Sequence, residues 1–544
     1  MRSTMQDRPL TVGEIVTHAA RVHPDREVVT AVSPADFRRV SYRQTAERAA
    51  RLANGLRELG VTGDQRVGTL QWSNQEHLDA YAGIPSMGAV LHTLNLRLPP
   101  DQLSYVATRA EDSVLIVDGS LLSLLAPALP AMPTVHIVLV AGEGDTSVLD
   151  GAGKQILRYD DVLAGSSPSF DWPDLDERAA AAMCHTSGTT AAPKGVVYSH
   201  RSIWLHSQAA CTSNALGIGF DDTVLEIVPM FHANAWGIPY ACMMSGAGLL
   251  LPGPFLQAAP LVEMIEHERP TMSGAVPTIW HDILGHLEDH PDRDISWIRF
   301  VACGGSAVPR SLMEAFDERG VTIVQAWGMT ETSPLATVAP PPSSVDASSQ
   351  MDLRCTQGRP VAGVEVRLVD DDDDGRPQPH DGKSVGEIQV RGPWVTASYY
   401  GDEDAEKFDD RWLRTGDVGV VNQEQFVTLT DRAKDVIKSG GECISSVALE
   451  NEIVGHPEAH QAAVVAIPDE KWQERPLAAV VRRPGSTVSA DDLRRYLTGR
   501  VAKWWLPDSW TFVEEVPLTG TGKYDKKVLR RRFAAGELAV EQSR

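Results

Sequence analysis

Apolar residues recur along this chain in two alternating rhythms. Residues 42–59 carry Ala, Leu and Arg at helical spacing and stop at Gly60, whereas Arg66-Val-Gly-Thr-Leu70 is a short apolar run of strand length. Val114-Leu-Ile-Val-Asp118 and His136-Ile-Val-Leu-Val140 are further strand-like runs, each after a helix-like stretch. Strands alternating with helices predict a mainly parallel, doubly wound sheet, because parallel neighbours need a crossover and a helix usually supplies it. The alternation returns over residues 223–324, with strands at Ala275-Val-Pro277 and Phe300-Val-Ala302 and helices over 261–267 and 311–319. From Gly363 the rhythm shortens. Residues 364–369, 386–390 and 426–429 read as strands joined by turns, with Asp370-Asp-Asp-Asp-Asp374 and Gly375 as a tight acidic turn. After Asp431 a third texture sets in, with strands at 463–467 and 477–481 and a helix over 490–497. The expected fold class is α/β, with a β-rich unit and a last, separate segment.

Composition narrows the picture. A chain of 544 residues is too long for one hydrophobic core, and its 42% hydrophobic and 23% charged residues are ordinary for a soluble globular protein. No apolar run reaches the roughly 18–20 residues of a membrane helix. The most apolar stretch, 238–252, is broken by Pro239, Ser245, Gly246 and Gly248, and the first residues lack the apolar middle of a signal peptide. The net charge of −23 speaks against a nucleic-acid binder. From Asp435 on, 16 basic residues balance 16 acidic ones, so the whole net charge lies ahead of that point. A boundary near 430 is one reading; an acidic surface that keeps the protein soluble is the other. Six scattered cysteines read as reduced thiols of a cytoplasmic protein, not as a disulfide framework or a zinc site.

The richest chemistry lies at Thr186-Ser-Gly-Thr-Thr-Ala-Ala-Pro-Lys-Gly195, directly after the apolar run 179–184. Gly188 and Gly195 let backbone approach a ligand, hydroxyls and N–H groups donate to phosphate oxygens, and Lys194 adds a charge. Five residues separate Gly188 from Lys194, so this is not the common P-loop. A flexible polar surface loop is the plainer alternative. Three more segments place reactive residues near predicted strand ends, where ligands sit in open α/β sheets: Phe231-His-Ala-Asn-Ala-Trp236, Gly304-Gly-Ser-Ala307 and Gln325-Ala-Trp-Gly-Met-Thr-Glu-Thr332. Glu331 suits Mg²⁺, which takes one or two carboxylates with phosphate oxygens. Leu413-Arg-Thr-Gly-Asp417 sets a carboxylate behind a glycine turn, suited to the two hydroxyls of a ribose. Taken singly, each of these is also compatible with core packing or an ordinary turn.

In their order and number these segments resemble the adenylate-forming enzymes, which include acyl-CoA synthetases, luciferases and peptide-synthetase adenylation domains. Asp431-Arg-Ala-Lys434, Lys438-Ser-Gly-Gly441 and Pro517-Leu-Thr-Gly-Thr-Gly-Lys523 complete the set, and the resemblance spans nearly the whole chain. Pro229-Met-Phe-His-Ala-Asn-Ala-Trp236, Gly392-Pro-Trp394, Lys471-Trp-Gln-Glu-Arg-Pro476 and Lys503-Trp-Trp-Leu-Pro507 are similar to the medium- and long-chain fatty acyl-CoA synthetases and to ligases for 3-methylmercaptopropionate.

The resemblance implies a large N-terminal domain, 1–430, of two doubly wound subdomains and a small β-barrel. A hinge over 431–436, with Lys434 at its centre, leads to a mobile α+β domain over 437–544. It implies ATP, Mg²⁺ and coenzyme A as cosubstrates and cofactor, a carboxylic acid as the other substrate, and a homodimer. The catalytic set would be Lys523, Thr190, Glu331 and His232, with Thr190 and Glu331 on the metal. ATP or AMP would contact Thr186, Ser187, Gly188, Thr189, Thr190, Lys194, Gly304, Gly305, Ser306, Gln325, Ala326, Trp327, Gly328, Thr330, Asp417, Arg432 and Lys523. Trp327 stands where the family usually has Tyr, so stacking on adenine should persist and a phenolic hydrogen bond be lost. His232, Trp236, Gly305 and Gly328 would border the acyl group, with Trp236 as a gate; Trp280, Met272 and Leu335 are tunnel or core residues. Lys438, Gly440, Gly441 and Trp472 would meet coenzyme A. Transfer of the acyl group to a carrier protein or an amine, and a non-catalytic binding protein on the same fold, are the competing readings.

Overall fold

The computed structural model describes all residues except 2, 187–192, 371–374, 402–403, 433–434, 440–441, 470, 520–522 and 544, and the backbone alone at 347, 431–432 and 442–443. Two large sheets carry the first part of the chain. One has seven strands in the spatial order Gln155–Arg158, Ile137–Ala141, Asp112–Asp118, Arg66–Leu70, Val90–Thr93, Ala180–His185, Gly195–Ser199. Every neighbouring pair is parallel except the last. The other has nine: Arg359–Pro360, Leu335–Val338, Thr322–Gly328, Phe300–Gly304, Met272–Ala275, Thr223–Glu226, Gly248–Leu251, Glu27–Ser33 and Asp36–Ser41. It is parallel through its centre and antiparallel at both ends.

These sheets follow from the apolar runs. Ile137–Ala141 and Gly248–Leu251 are buried at every position, as parallel strands covered on both faces must be. The helix Tyr42–Glu58 starts where its cap dictates: the Ser41 hydroxyl accepts from the Gln44 N–H, and the Gln44 side chain accepts from the Ser41 N–H. The strand Met272–Ala275 ends sooner than expected, because Pro277 opens the helix Pro277–Asp289 at a position where its missing N–H costs nothing.

The main core joins the two sheets, with Leu91, Ile116 and Cys184 from one and Val224, Leu249 and Met272 from the other. Leu335 belongs to it as well. Trp280 lies in a second cluster on the other side of the nine-stranded sheet, edge-to-face with Phe316. Packing is thus the role the structure gives these three.

A six-stranded antiparallel sheet follows, built on Glu365–Asp370, Gly386–Arg391 and Trp412–Val421. The strands from Ile437 onward form a sheet of their own, in which the long hairpin Ala459–Asp469 and Gln473–Arg482 packs against the helices Ser446–Val454, Ala490–Leu497 and Lys526–Ala534.

Candidate functional site

A cavity of about 250 Å³ opens at the carboxyl ends of Met272–Ala275, Phe300–Gly304 and Thr322–Gly328. Gly305, Ser306 and Ala326 to Gly328 form one wall, Asp417 a second, and Asn451 and Lys523 from the last sheet's unit close it. Residues far apart in the chain therefore meet where a parallel sheet places its ligands.

Several of these groups sit otherwise than the sequence suggests. Gln325 to Gly328 are the last residues of a strand, not a loop after it: Ala326 pairs with Gly304 on one side and Val338 on the other. Gln325 is buried and its amide is used by the scaffold. Its Oε1 accepts from the Val308 N–H at 3.0 Å and from Gln357 Nε2 at 3.1 Å, and its Nε2 donates to the Cys355 carbonyl at 2.7 Å. Asp417 lies within the strand Trp412–Val421, turned by an irregularity in register beside Gly416, whose φ is +74°. Trp327 has no phenol to donate, but its indole Nε1–H donates to Asp417 Oδ2 at 2.8 Å, both side chains being buried. The larger ring reaches the carboxylate itself. Arg432 is the backbone partner of Asp417 across the sheet; its side chain lies outside the described residues.

Lys523 stands at the foot of a hairpin. The Thr519 N–H donates to the Lys523 carbonyl at 2.7 Å, and the Asp525 N–H to the Pro517 carbonyl at 2.7 Å. Its stem crosses Gly305: a Cβ there would stand 3.4 Å from Lys523 Cε and 3.1 Å from Val276 Cγ1, on backbone with φ +90°. The positive φ favours glycine here, and a Cβ would also press on Val276. His232 is close to Lys523 and Arg97, and burial, with those two charges, lowers its pKa to about 3. It is a neutral imidazole at any ordinary pH. Trp236 ends four consecutive left-handed residues, Ala233 to Trp236, with φ from +44° to +53°. Its ring lies over the strand ends, where Cβ atoms at Gly304 and Gly274 would stand 3.3 and 3.8 Å from it.

Beside the cavity, Tyr399 ties two predicted groups together. Its hydroxyl donates to Glu331 Oε1 at 2.5 Å, and its ring lies 5.3 Å beneath the Lys194 ammonium. Lys194 is also ion-paired with Asp404. The Thr186 N–H donates to the Lys194 carbonyl at 2.9 Å, closing the base of the hydroxyl-rich loop. The loop's interior, Ser187, Gly188, Thr189 and Thr190, lies outside the described residues. Thr330 accepts the Tyr198 hydroxyl through its carbonyl at 2.7 Å. Gly328 has no room for a side chain against the Pro334 carbonyl.

Lys438 and Trp472 are not in the cavity. Both are exposed on another edge, near the pairing of Ser439 with Gln473. Lys434, Gly440 and Gly441 lie outside the described residues. Tyr399 and Asp404 escaped sequence reading, because a lone tyrosine or aspartate in a turn-rich segment carries no periodic signal.

The model of the AMP-binding enzyme family matches residues 16–400, and that of the AMP-binding enzyme C-terminal domain matches residues 448–523. The 3-methylmercaptopropionyl-CoA ligase of Ruegeria pomeroyi is 42% identical over 540 residues, spanning 98% of this chain and 99% of that one. The long-chain-fatty-acid–CoA ligase of Thermus thermophilus is 43% identical over 538 residues, spanning 98% and 97%. Among solved structures, that of the anthranilate CoA ligase AuaEII in complex with anthranoyl-AMP has a TM-score of 0.88 and 26% identity, covering 98% of this chain and 100% of that one.

Proposed function

The chain belongs to the AMP-binding enzyme family and is an AMP-forming acyl-CoA synthetase, and on that premise we propose that its acid is a medium- or long-chain fatty acid, adenylated beneath Lys523. One observation carries the site assignment: the Lys523 stem lies on Gly305 in a cavity that also holds Asp417 and Trp327. The adenine stacks on Trp327 against Gly304, Gly305 and Ser306, and the ribose hydroxyls donate to Asp417, which the indole N–H already orients.

The first half-reaction brings a carboxylate to the α-phosphate of ATP. Two anions about 4 Å apart repel by about 1 kcal/mol in water and about 4 kcal/mol at an effective dielectric of 20. Lys523 supplies a compact charge on a stem long enough to touch both groups. Neutral His232 adds no charge and orients the carboxylate at the mouth of the acyl pocket. Mg²⁺ fits the donor set, since Glu331 is a buried hard oxygen ligand held by the Tyr399 hydroxyl. Glu331, with Thr190 by resemblance, would hold it, and when bound it neutralises phosphate charge. The loop 186–195 grips the β- and γ-phosphates that leave as pyrophosphate.

Trp236 closes the acyl pocket. The left-handed turn that carries it stores about 1–2 kcal/mol per non-glycine residue, so a second ring position is within reach of substrate binding. Each methylene buried beyond it contributes about 0.8 kcal/mol, which makes pocket depth a ruler for chain length.

For the second half-reaction the domain 437–544 turns about 431–436, with Lys434 as hinge, and brings Lys438, Gly440, Gly441 and Trp472 to coenzyme A. The present exposure of Lys438 and Trp472 supports that alternation. A homodimer in the cytoplasm completes the reading, on the family resemblance.

Lys523→Ala tests the division of labour. Acyl-adenylate formation, followed by pyrophosphate release, should vanish, while thioester formation from supplied adenylate persists; equal loss of both would overturn the assignment. A short thioether acid is the second reading, favoured by the full-length likeness to a 3-methylmercaptopropionyl-CoA ligase. An acid panel scored by kcat/KM with ATP and CoA separates the two.

A further inference from the structure

Behind the acyl mouth lies a carboxyl group that the adenylation chemistry does not use. Glu226 ends the strand Thr223–Glu226 with 0% of its surface exposed, and among the described residues no side chain hydrogen-bonds either of its oxygens, the Val228 backbone being the partner beside it. Burial pushes its pKa well above the carboxylate range, and the nearby Val228 backbone only partly offsets this. Burial thus favours the neutral form, which has an O–H to donate and a carbonyl to accept. A buried carboxyl with only a backbone contact keeps hydrogen-bonding capacity unspent, at a cost to the fold, and that capacity points to a partner that the protein itself does not supply.

The sheet register places it. Glu226 is paired with Gly274 in a parallel ladder, and register partners face the same side. From Gly274 that side leads to Ile238 Cδ1, 3.5 Å from where a Cβ would stand, and to the Trp236 indole. Tyr81 and Cys242 are the buried neighbours near enough to sense the Glu226 charge. The gate indole thus rests one strand away from the carboxyl. A second polar group is left over in the gate's own turn: Asn234 Nδ2 is buried and has no partner among the described residues, while its Oδ1 accepts from Cys184 Sγ at 3.1 Å. The sheet face against which the Trp236 ring rests is thus the face that Glu226 shares.

We propose that Glu226 is a specificity-determining residue, one that hydrogen-bonds a hydroxyl or carbonyl oxygen carried on the acyl chain away from the reacting carboxylate. The preferred acid is then an oxygen-bearing fatty acid, not a plain alkanoate. This rests on the acyl-CoA synthetase reading and adds to it the chemistry of the acyl tail. A site built to bond an oxygen discriminates strongly against the analogue lacking it, because its own polar group is left unpaired.

The test measures AMP release with ATP and CoA for acid pairs of matched chain length, one plain and one carrying a single hydroxyl, with the hydroxyl moved along the chain. The native enzyme should favour one hydroxy acid over its plain partner by about tenfold or more, chiefly through KM. Glu226→Leu should erase that preference and raise activity on the plain acid; Glu226→Gln, which still donates and accepts, should keep it. Thermal melting of both variants checks the fold, and Glu226→Leu should melt no lower than the native chain. Equal kcat/KM within every pair in the native enzyme, or a preference that survives in folded Glu226→Leu, overturns the proposal. Turnover of plain acids without any effect of the hydroxyl sinks only the role of Glu226, whereas AMP release with no acid at all sinks the synthetase reading.

Discussion

Trp327 shows how one side chain holds two functions. Its ring face is available to adenine while its Nε1–H is spent on Asp417 at 2.8 Å. A hydrogen bond to a charged acceptor is worth about 1.5–3 kcal/mol, and its loss leaves a buried carboxylate short of a donor. Trp327→Phe keeps the stacking surface and removes the bond. The expected result is a KM for ATP raised by about tenfold or more with the chain still folded, read by steady-state kinetics at saturating acid and CoA. An unchanged KM would show that Asp417 needs no help from the indole. Gly305 makes the complementary point: its φ of +90° suits glycine, and the Lys523 stem lies in contact over it.

At the scale of elements, the turn over 233–237 is the piece on which substrate choice depends. It follows the strand Thr223–Glu226, leads into the helix Ile238–Ser245, and holds five successive residues at positive φ, including Gly237. Such a turn sets the Trp236 ring against Gly274 and Gly304, and among the described residues no hydrogen bond from the ring holds it there. Trp236→Ala should therefore open the pocket at little cost in stability and shift the optimum toward longer acids, seen in kcat/KM across a chain-length series. An identical profile in the variant would remove the gate role. The hairpin that carries Lys523 is the other decisive element, since it brings that charge from the last sheet's unit onto the strand ends of the nine-stranded sheet, across Gly305.

The whole molecule carries a pH signature that follows from burial. Desolvation lowers the pKa of His77, His200, His206 and His281 to about 4 and, aided by Lys523 and Arg97, that of His232 to about 3. Their folded values lie below the ordinary 6.5, so the unfolded chain binds more protons as pH falls. Stability present above pH 6.5 is then lost between about pH 6.5 and 4, each group costing up to about 1.4 kcal/mol per pH unit in that window. Glu226, Asp79, Asp112 and Asp282, whose pKa values burial raises, act the other way, while His185, lowered well below 6.5, adds to the histidines. The melting temperature should fall steadily below pH 6.5 in a series of buffers of equal ionic strength; a flat profile down to pH 5 would contradict the burial of these imidazoles as neutral groups. His281 lies close to His460 and Arg483, so part of the loss should appear where the last unit meets the helix Pro277–Asp289, a contact that Arg483 also makes with Glu288 at 2.8 Å.

The sequence by itself determined the alternation of strands and helices, the change of texture after residue 363, and the glycines, lysines and carboxylates of the site. Apolar periodicity and local turn chemistry are properties of short segments, and short segments are what a sequence displays. It misjudged Gln325 to Gly328 and Asp417 as loop residues, because their strand character comes from Gly304, Val338 and Arg432, partners that the local pattern does not contain. Only the tertiary structure decided that Trp327 donates to Asp417, 90 residues away, and that Tyr399 holds Glu331, 68 residues away. It alone chose core over tunnel for Trp280, and it alone revealed Glu226, whose buried carboxyl no side chain among the described residues bonds. Hydrogen bonds and desolvation depend on what lies within a few ångströms in space, and that neighbourhood exists only once the chain has folded.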